Sequence, residues 1–306
     1  MKNILDFIIV GAQKAGTTSL AGHLGYSPQI YIPPEKEIPY FLDRSMLKWG
    51  WNWYLDTYFK NADPDRLWGT STPQYMMHPE CFKTIKMAMP NVKIIVTLRD
   101  PISRLISHFD MATRLGVEKR NLNTVIEEQI NHIEELRKTP YPDHTGKYIV
   151  SGEYGRILKE LFTHFDSSQV HVVFFDDLTR DIQSELDRVS DFLGIRRFAA
   201  AEPDKVRMRG GSKKKVPFNH NKLVAALSSI SRSFGLSTMI PSRAKAKIGR
   251  ISSWLDEWNV DTRTKTVTSD LRPDLLRGLR EHYARDAVIL ENIGIPAPWV
   301  KRWTSH

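Results

Sequence analysis

Residues 7–19 read FIIVGAQKAGTTS. Phe7 to Val10 are aromatic or β-branched and run straight into Gly11; a second glycine, Gly16, precedes Thr17, Thr18 and Ser19. A buried strand entering a glycine-spaced turn and then a helix start is a layout that holds anions. Backbone N–H groups face the ligand, and the helix dipole adds positive potential there. The glycine spacing is that of the P-loop, G-x-x-x-x-G-K-[ST], in which the lysine reaches the β/γ-phosphates. Here Thr17 stands in the lysine position, and Lys14, inside the turn, is its only lysine. The alternative is an ordinary strand-to-helix turn.

Two further apolar runs have the same character, Val92 to Leu98 (VKIIVTL) and Val170 to Phe175 (VHVVFF). Helical patterns lie between and after them, over residues 17–24, 100–115, 123–136, 152–165 and 178–193, the last ending at Gly194. In residues 152–165 the apolar stripe is Tyr154, Ile157, Leu158, Leu161, Phe162 and Phe165. Strands alternating with helices predict an α/β fold, a P-loop-like three-layer arrangement with a central parallel sheet flanked by helices. One domain is expected over 1–306, with a basic loop at about 199–221 and a helical insertion at about 222–270. A helix over 273–294 and a Pro-Trp ending complete the chain.

The 306 residues are 41% hydrophobic, enough to bury a substantial core, and carry a net charge of +9. That balance favours anionic partners, nucleotides, nucleic acid, acidic glycans or a membrane surface, without choosing among them. Cys81 is the one cysteine, so no intrachain disulfide forms and nothing points to an oxidising compartment. The apolar start is broken by Asp6 and too short for a transmembrane span, so a cytoplasmic, soluble chain is expected. His78-Pro79-Glu80-Cys81 has no second ligand pair at metal spacing, and no metal is expected.

The second run ends in RDPISRLIS, residues 99–107. Asp100 is a good helix cap and Pro101 a good first helical residue, which puts Arg99 at a strand's carboxyl end, where open α/β sheets bind ligands. Ser103 and Ser107 lie one turn apart on a common face, and Arg99 with Ser107 can converge on a phosphate. The alternative is that Arg99 pairs with a surface carboxylate. His108, next along the helix, points about 100° away from Ser107 and reads as a packing or polar-network histidine.

Together, strand-GAQKAGTTS and strand-RDPISRLIS resemble the 5′-phosphosulfate loop and 3′-phosphate motif of sulfotransferases that use 3′-phosphoadenosine 5′-phosphosulfate (PAPS). The likeness continues through PPEKEIPYFLDR (33–44), GTSTPQYM (69–76), GEYGRILKEL (152–161), VVFFDDL (172–178) and FLGI (192–195). It is greatest with carbohydrate sulfotransferases of the heparan sulfate type and their soluble bacterial relatives. The resemblance implies PAPS as donor. Lys14 would face the phosphosulfate as the leaving-group cation, with Ala15, Gly16, Thr17, Thr18 and Ser19 holding the 5′ end and Arg99 and Ser107 the 3′-phosphate. It also implies Glu37 as the catalytic base, its pKa raised by partial burial beside Tyr40 and Phe41, with Lys36 steering the sulfuryl group or acceptor. Without the family, Lys36 and Glu37 read as a solvated pair. The loop SKKKVP (212–217) resembles a nucleotide-clasping S-K-G-R loop, but Lys214 and Lys215 replace its Gly and Arg. Arg209 and Lys213 are candidate 3′-phosphate partners, or part of a solvated charge run.

Two other functions compete. A P-loop kinase is opposed by the missing lysine and by VKIIVTLRD, which offers Arg99 where a Walker-B strand needs a carboxylate. A non-enzymatic binder of nucleic acid or glycan would explain the charge, but no interleaved aromatic-basic motif appears, so no nucleic acid is expected. The acceptor is expected to be a carbohydrate or small molecule, with membrane-surface contact and oligomeric state left open. Trp49, Trp51, Trp53 and Tyr54 read either as a sugar site or as the core face of an amphipathic helix.

Overall fold

The computed structural model describes residues 3–35, 37–139, 146–201, 213–214, 260–261 and 271–304. Five strands form one parallel sheet in the order β2-β3-β1-β4-β5: β1 Phe7–Gly11, β2 Ile30–Tyr31, β3 Leu67–Ser71, β4 Lys93–Leu98 and β5 Val170–Phe174. The central strand β1 is buried along its whole length, which is why it reads as a continuous apolar run rather than an alternating one. From β1 the chain runs to the edge strand β2, returns inward to β3 beside β1, and then crosses to place β4 and β5 on the other side. The carboxyl ends of β1 and β4 therefore flank the switch in direction where such sheets bind ligands.

Helices cover both faces. One core packs Ile8, Val10, Ile94, Val96 and Leu98 against α3 (Cys81–Ala88), α7 (Tyr154–Phe162) and α10 (Pro273–Asn292). The other packs Phe7, Ile9, Ile95 and Val173 against α1 (Thr17–Gly25) and α9 (Ile182–Leu193). Alternate residues of β1 thus face opposite layers, giving the expected three-layer architecture. In α7, Tyr154, Ile157, Leu158 and Leu161 are the buried stripe read from the sequence.

Several boundaries differ from expectation. The helix expected over 123–136 is two, α5 (Leu122–Asn131) and α6 (Ile133–Lys138), broken at His132. The one expected over 178–193 is α8 (Phe175–Arg180) and α9, separated by Asp181, whose side chain accepts from Ser184 N and caps the second. α4 (Pro101–Arg114) begins as expected, and the Pro-Trp ending forms a short helix, α11 (Pro298–Thr304). β2 and β3 were not expected as strands.

The chain divides into two compact units. One comprises Met1–Phe109, Arg120–Met208 and Thr268–His306; the other comprises Asp110–Lys119 and Arg209–Val267. The expected basic loop and helical insertion lie outside the described residues, save an antiparallel strand pair, β6 Lys213–Lys214 with β7 Val260–Asp261. Among the described residues no helix is long and apolar enough to cross a membrane.

Candidate active site

The first loop leaves β1 at Gly11 and enters α1 at Thr17. Gly16 is the helix cap, with φ 92°, and no side chain caps the first turn. The amides of a helix's first turn have no intrahelical acceptor, so an uncapped start is suited to an anion. Gly16 is also required by its surroundings. A Cβ there would lie 2.9 Å from Leu178 Cδ2 and 3.0 Å from Phe175 Cδ2. The VVFFDDL motif therefore backs the loop, through α8. Ala15 and Thr17 are buried, while Lys14, Gly16, Thr18 and Ser19 are half-buried at the surface of the cradle.

Arg99 follows β4, the parallel neighbour of β1. Its Nη1 donates to the carbonyl of Lys14 at 3.2 Å, and its guanidinium lies over the Phe175 ring, 4.5 Å from the centroid. Burial pulls this guanidinium below its ordinary value, against the opposing pull of Tyr154, Asp100 and Asp176. A partly desolvated cation of this kind gains from an incoming anion. Asp100 caps α4 as expected: its Oδ1 accepts from Ser103 N at 2.7 Å, and its Oδ2 accepts from Trp303 Nε1 at 2.9 Å. Ser107 lies two turns into α4, half-buried like Ser103. His108 is buried, accepts from Arg104 Nη1 at 3.4 Å and packs edge-on against Tyr148, as a polar-network histidine does.

Glu37 sits at the exit of β3, on the other side of β1. Its N–H donates to Ser71 O at 3.0 Å, and its carboxylate Oε2 accepts from Gln74 Nε2 at 2.7 Å. Ile38 O accepts from Thr72 Oγ1 and from the Tyr75 hydroxyl, and Tyr75 also accepts from Phe41 N. Tyr40 packs against Trp51 and Tyr54, and Phe41 against Trp51 and Tyr75. The expected partial burial of Glu37 is not what the fold provides. The neighbouring rings turn into the core, and Glu37 itself is exposed.

The fold thus brings Lys14, Arg99 and Glu37 to the carboxyl ends of three adjacent parallel strands, β1, β4 and β3. Among the described residues, Lys14 and Glu37 are the two non-glycine residues with positive φ, 71° and 62°. Left-handed backbone disfavours side chains larger than glycine, and such positions cluster at functional sites. Lys36 and Arg209 lie outside the described residues, and Lys213 is described only as backbone of β6. Among the described residues no cluster of metal-ligating side chains occurs. Gln74, Phe175 and Trp303 were not singled out from the sequence, although the first two lie in motifs quoted there.

The family model for the sulfotransferase domain matches residues 5–208, two thirds of the chain and all of the three strand ends just described. The chain belongs to the sulfotransferase family. Human heparan sulfate glucosamine 3-O-sulfotransferase 3B1 is 30% identical over 196 residues, covering 64% of this chain and 47% of that protein. The membrane-associated sulfotransferase kil1 of Dictyostelium discoideum is 32% identical over 130 residues, 42% of this chain and 27% of that one. The chain thus spans about half the length, or less, of these curated relatives. Among solved structures, a sulfotransferase from Alicyclobacillus acidocaldarius superposes with a TM-score of 0.66 at 21% identity, covering 97% of this chain and 99% of that one, and so shares the fold. The heparan-type resemblance drawn from the motifs agrees with these relatives.

Proposed function

We propose that this sulfotransferase moves a sulfuryl group from PAPS to a hydroxyl of a carbohydrate or glycosylated small molecule. The observation that carries the reading is the convergence of Lys14, Arg99 and Glu37 on three adjacent strand ends, with Arg99 hydrogen-bonded to the Lys14 carbonyl. Two cationic groups on neighbouring β1 and β4 suit a nucleotide with anionic groups at both ends of one ribose. The uncapped start of α1, with Thr17, Thr18 and Ser19, suits its 5′ end, and Arg99 with Ser107 its 3′-phosphate. The 3-O-sulfotransferase named among the relatives supports a sugar hydroxyl as acceptor.

In this mechanism Glu37 takes the acceptor's hydroxyl proton while the acceptor oxygen forms a bond to sulfur. The bond from sulfur to the bridging phosphate oxygen breaks, and its electron pair stays on that oxygen, opposite the Lys14 ammonium. The products are a sulfate ester and adenosine 3′,5′-bisphosphate (PAP). As in phosphoryl transfer, catalysis is positioning plus charge stabilisation. Lys36, Arg209 and Lys213 remain proposed contributors, the first to sulfuryl or acceptor positioning, the others to the 3′-phosphate. The whole chain is proposed to serve this one activity in the cytoplasm, without a metal.

The test has two arms. PAP should raise the melting temperature more than ATP with magnesium does; preference for ATP would favour the kinase. Labelled PAPS is then offered with a panel of glycans, phenols and amines. Transfer to a glycan, lost in Glu37→Gln and Lys14→Ala, is the expected result, and full transfer by both variants overturns the assignment of roles.

A further inference from the structure

We infer that Gln74 is a positioning residue for Glu37, selecting which carboxylate oxygen meets the acceptor; the inference rests on the reading of Glu37 as base. Glu37 is exposed, and a solvated glutamate samples many rotamers. Gln74 is 7% exposed and fixed in the short 3-10 turn Pro73–Met77 that follows β3. Its Nε2 donates to Glu37 Oε2 at 2.7 Å. An ionised carboxylate only accepts, so the amide must turn its NH2 group toward Glu37. Gln74 Oε1 then faces the interior, where it is buried without a hydrogen-bond partner among the described residues. A buried amide that satisfies its donor on an exposed carboxylate while its acceptor goes unmet is costly for folding alone.

The same stretch holds the backbone of the glutamate. Ser71 O receives the Glu37 N–H, while Thr72 Oγ1 and the Tyr75 hydroxyl both donate to Ile38 O. Residues 71–75 thus grip the left-handed turn at Glu37 from below and its side chain from one side. Gln74 holds Oε2, and Oε1 is the oxygen left to take the acceptor's proton.

The experiment compares wild type, Glu37→Gln, Gln74→Met and Gln74→Glu on the acceptor found in the panel above, with PAP-induced thermal shift as the check of folding. Gln74→Met should lower kcat tenfold or more and leave the donor KM within twofold. In Gln74→Glu two carboxyls must share a proton to keep the contact, so a new alkaline limb should appear that the wild type lacks. If Gln74→Met fails to bind PAP, the isosteric Gln74→Glu decides by that limb. Wild-type kcat and pH profiles in the Gln74 variants, with Glu37→Gln inactive, overturn this inference alone. A fully active Glu37→Gln overturns the base assignment and the inference with it, and a wild type that transfers nothing from PAPS overturns the functional reading itself.

Discussion

Arg99 donates to the carbonyl of Lys14 across 3.2 Å, tying the end of β4 to the loop that leaves β1. The bond helps fix a left-handed residue whose own side chain is the proposed leaving-group cation. On the proposed assignment, one guanidinium serves both anion pockets, one by its charge and the other through the loop it braces.

Replacing Arg99 by Ala should weaken PAP binding by about 10- to 100-fold, the loss of one charge-assisted hydrogen bond of roughly 1.5–3 kcal/mol. Arg99→Lys should recover only part of this, because an ammonium cannot reproduce the forked donor or the flat contact with Phe175. Calorimetric titration with PAP checks both; affinity unchanged in Arg99→Ala removes Arg99 from the nucleotide site.

How far the sequence disclosed this arrangement depended on how local each signal was. β1, β4 and β5 are legible because strands buried in a parallel sheet are continuous apolar runs. β3, Leu67–Ser71, has no such run, and its glycine exists for a long-range reason: a Cβ at Gly69 would lie 2.1 Å from the Phe7 ring on β1. Lys14 and Arg99 could be placed at strand ends by their turns alone, whereas Glu37 was reached only through family resemblance. Gln74 and Phe175 act through contacts 37 or more residues away in the chain, and no local pattern carries that information.

Gly16→Ala should lose PAP binding and lower the melting temperature by several degrees. Holding a non-glycine residue at φ 92° costs on the order of 1–3 kcal/mol, and the new methyl meets Leu178 and Phe175. Adding Leu178→Ala relieves only the packing contribution. If the double variant regains PAP affinity, the clash and not the backbone conformation is what matters.

Glu153, in the GEYGR motif, is 1% exposed and accepts hydrogen bonds from Arg137, Arg156 and His282, joining α6, α7 and α10. Burial by itself pushes its carboxyl up, but His282, Arg137 and Arg156 outweigh it and hold it down from 4.5 to about 2. A depressed carboxyl stabilises the fold fully above its unfolded value and loses that contribution as pH falls toward the folded one. Glu153→Gln should therefore lower the melting temperature markedly at pH 7, and the gap to wild type should narrow between about pH 4.5 and 2. A gap that is constant across that window, followed by circular dichroism, argues against the charge as its source.

At Lys14 and Glu37 left-handed backbone reverses the usual ranking of small residues. At an ordinary loop position alanine is more favourable than glycine, which loses more chain entropy on folding. At φ 71° and 62° an L side chain costs about 1–2 kcal/mol that glycine avoids. Lys14→Gly should therefore melt above Lys14→Ala, and Glu37→Gly above Glu37→Ala, although all four lack the functional group and should be equally poor at transfer. Within each pair both variants lose the same side-chain contacts, so the difference reports the backbone alone. Alanine variants as stable as their glycine counterparts would mean that the two turns relax once the side chains are gone, and that the strain belongs to the site's function and not to the loop.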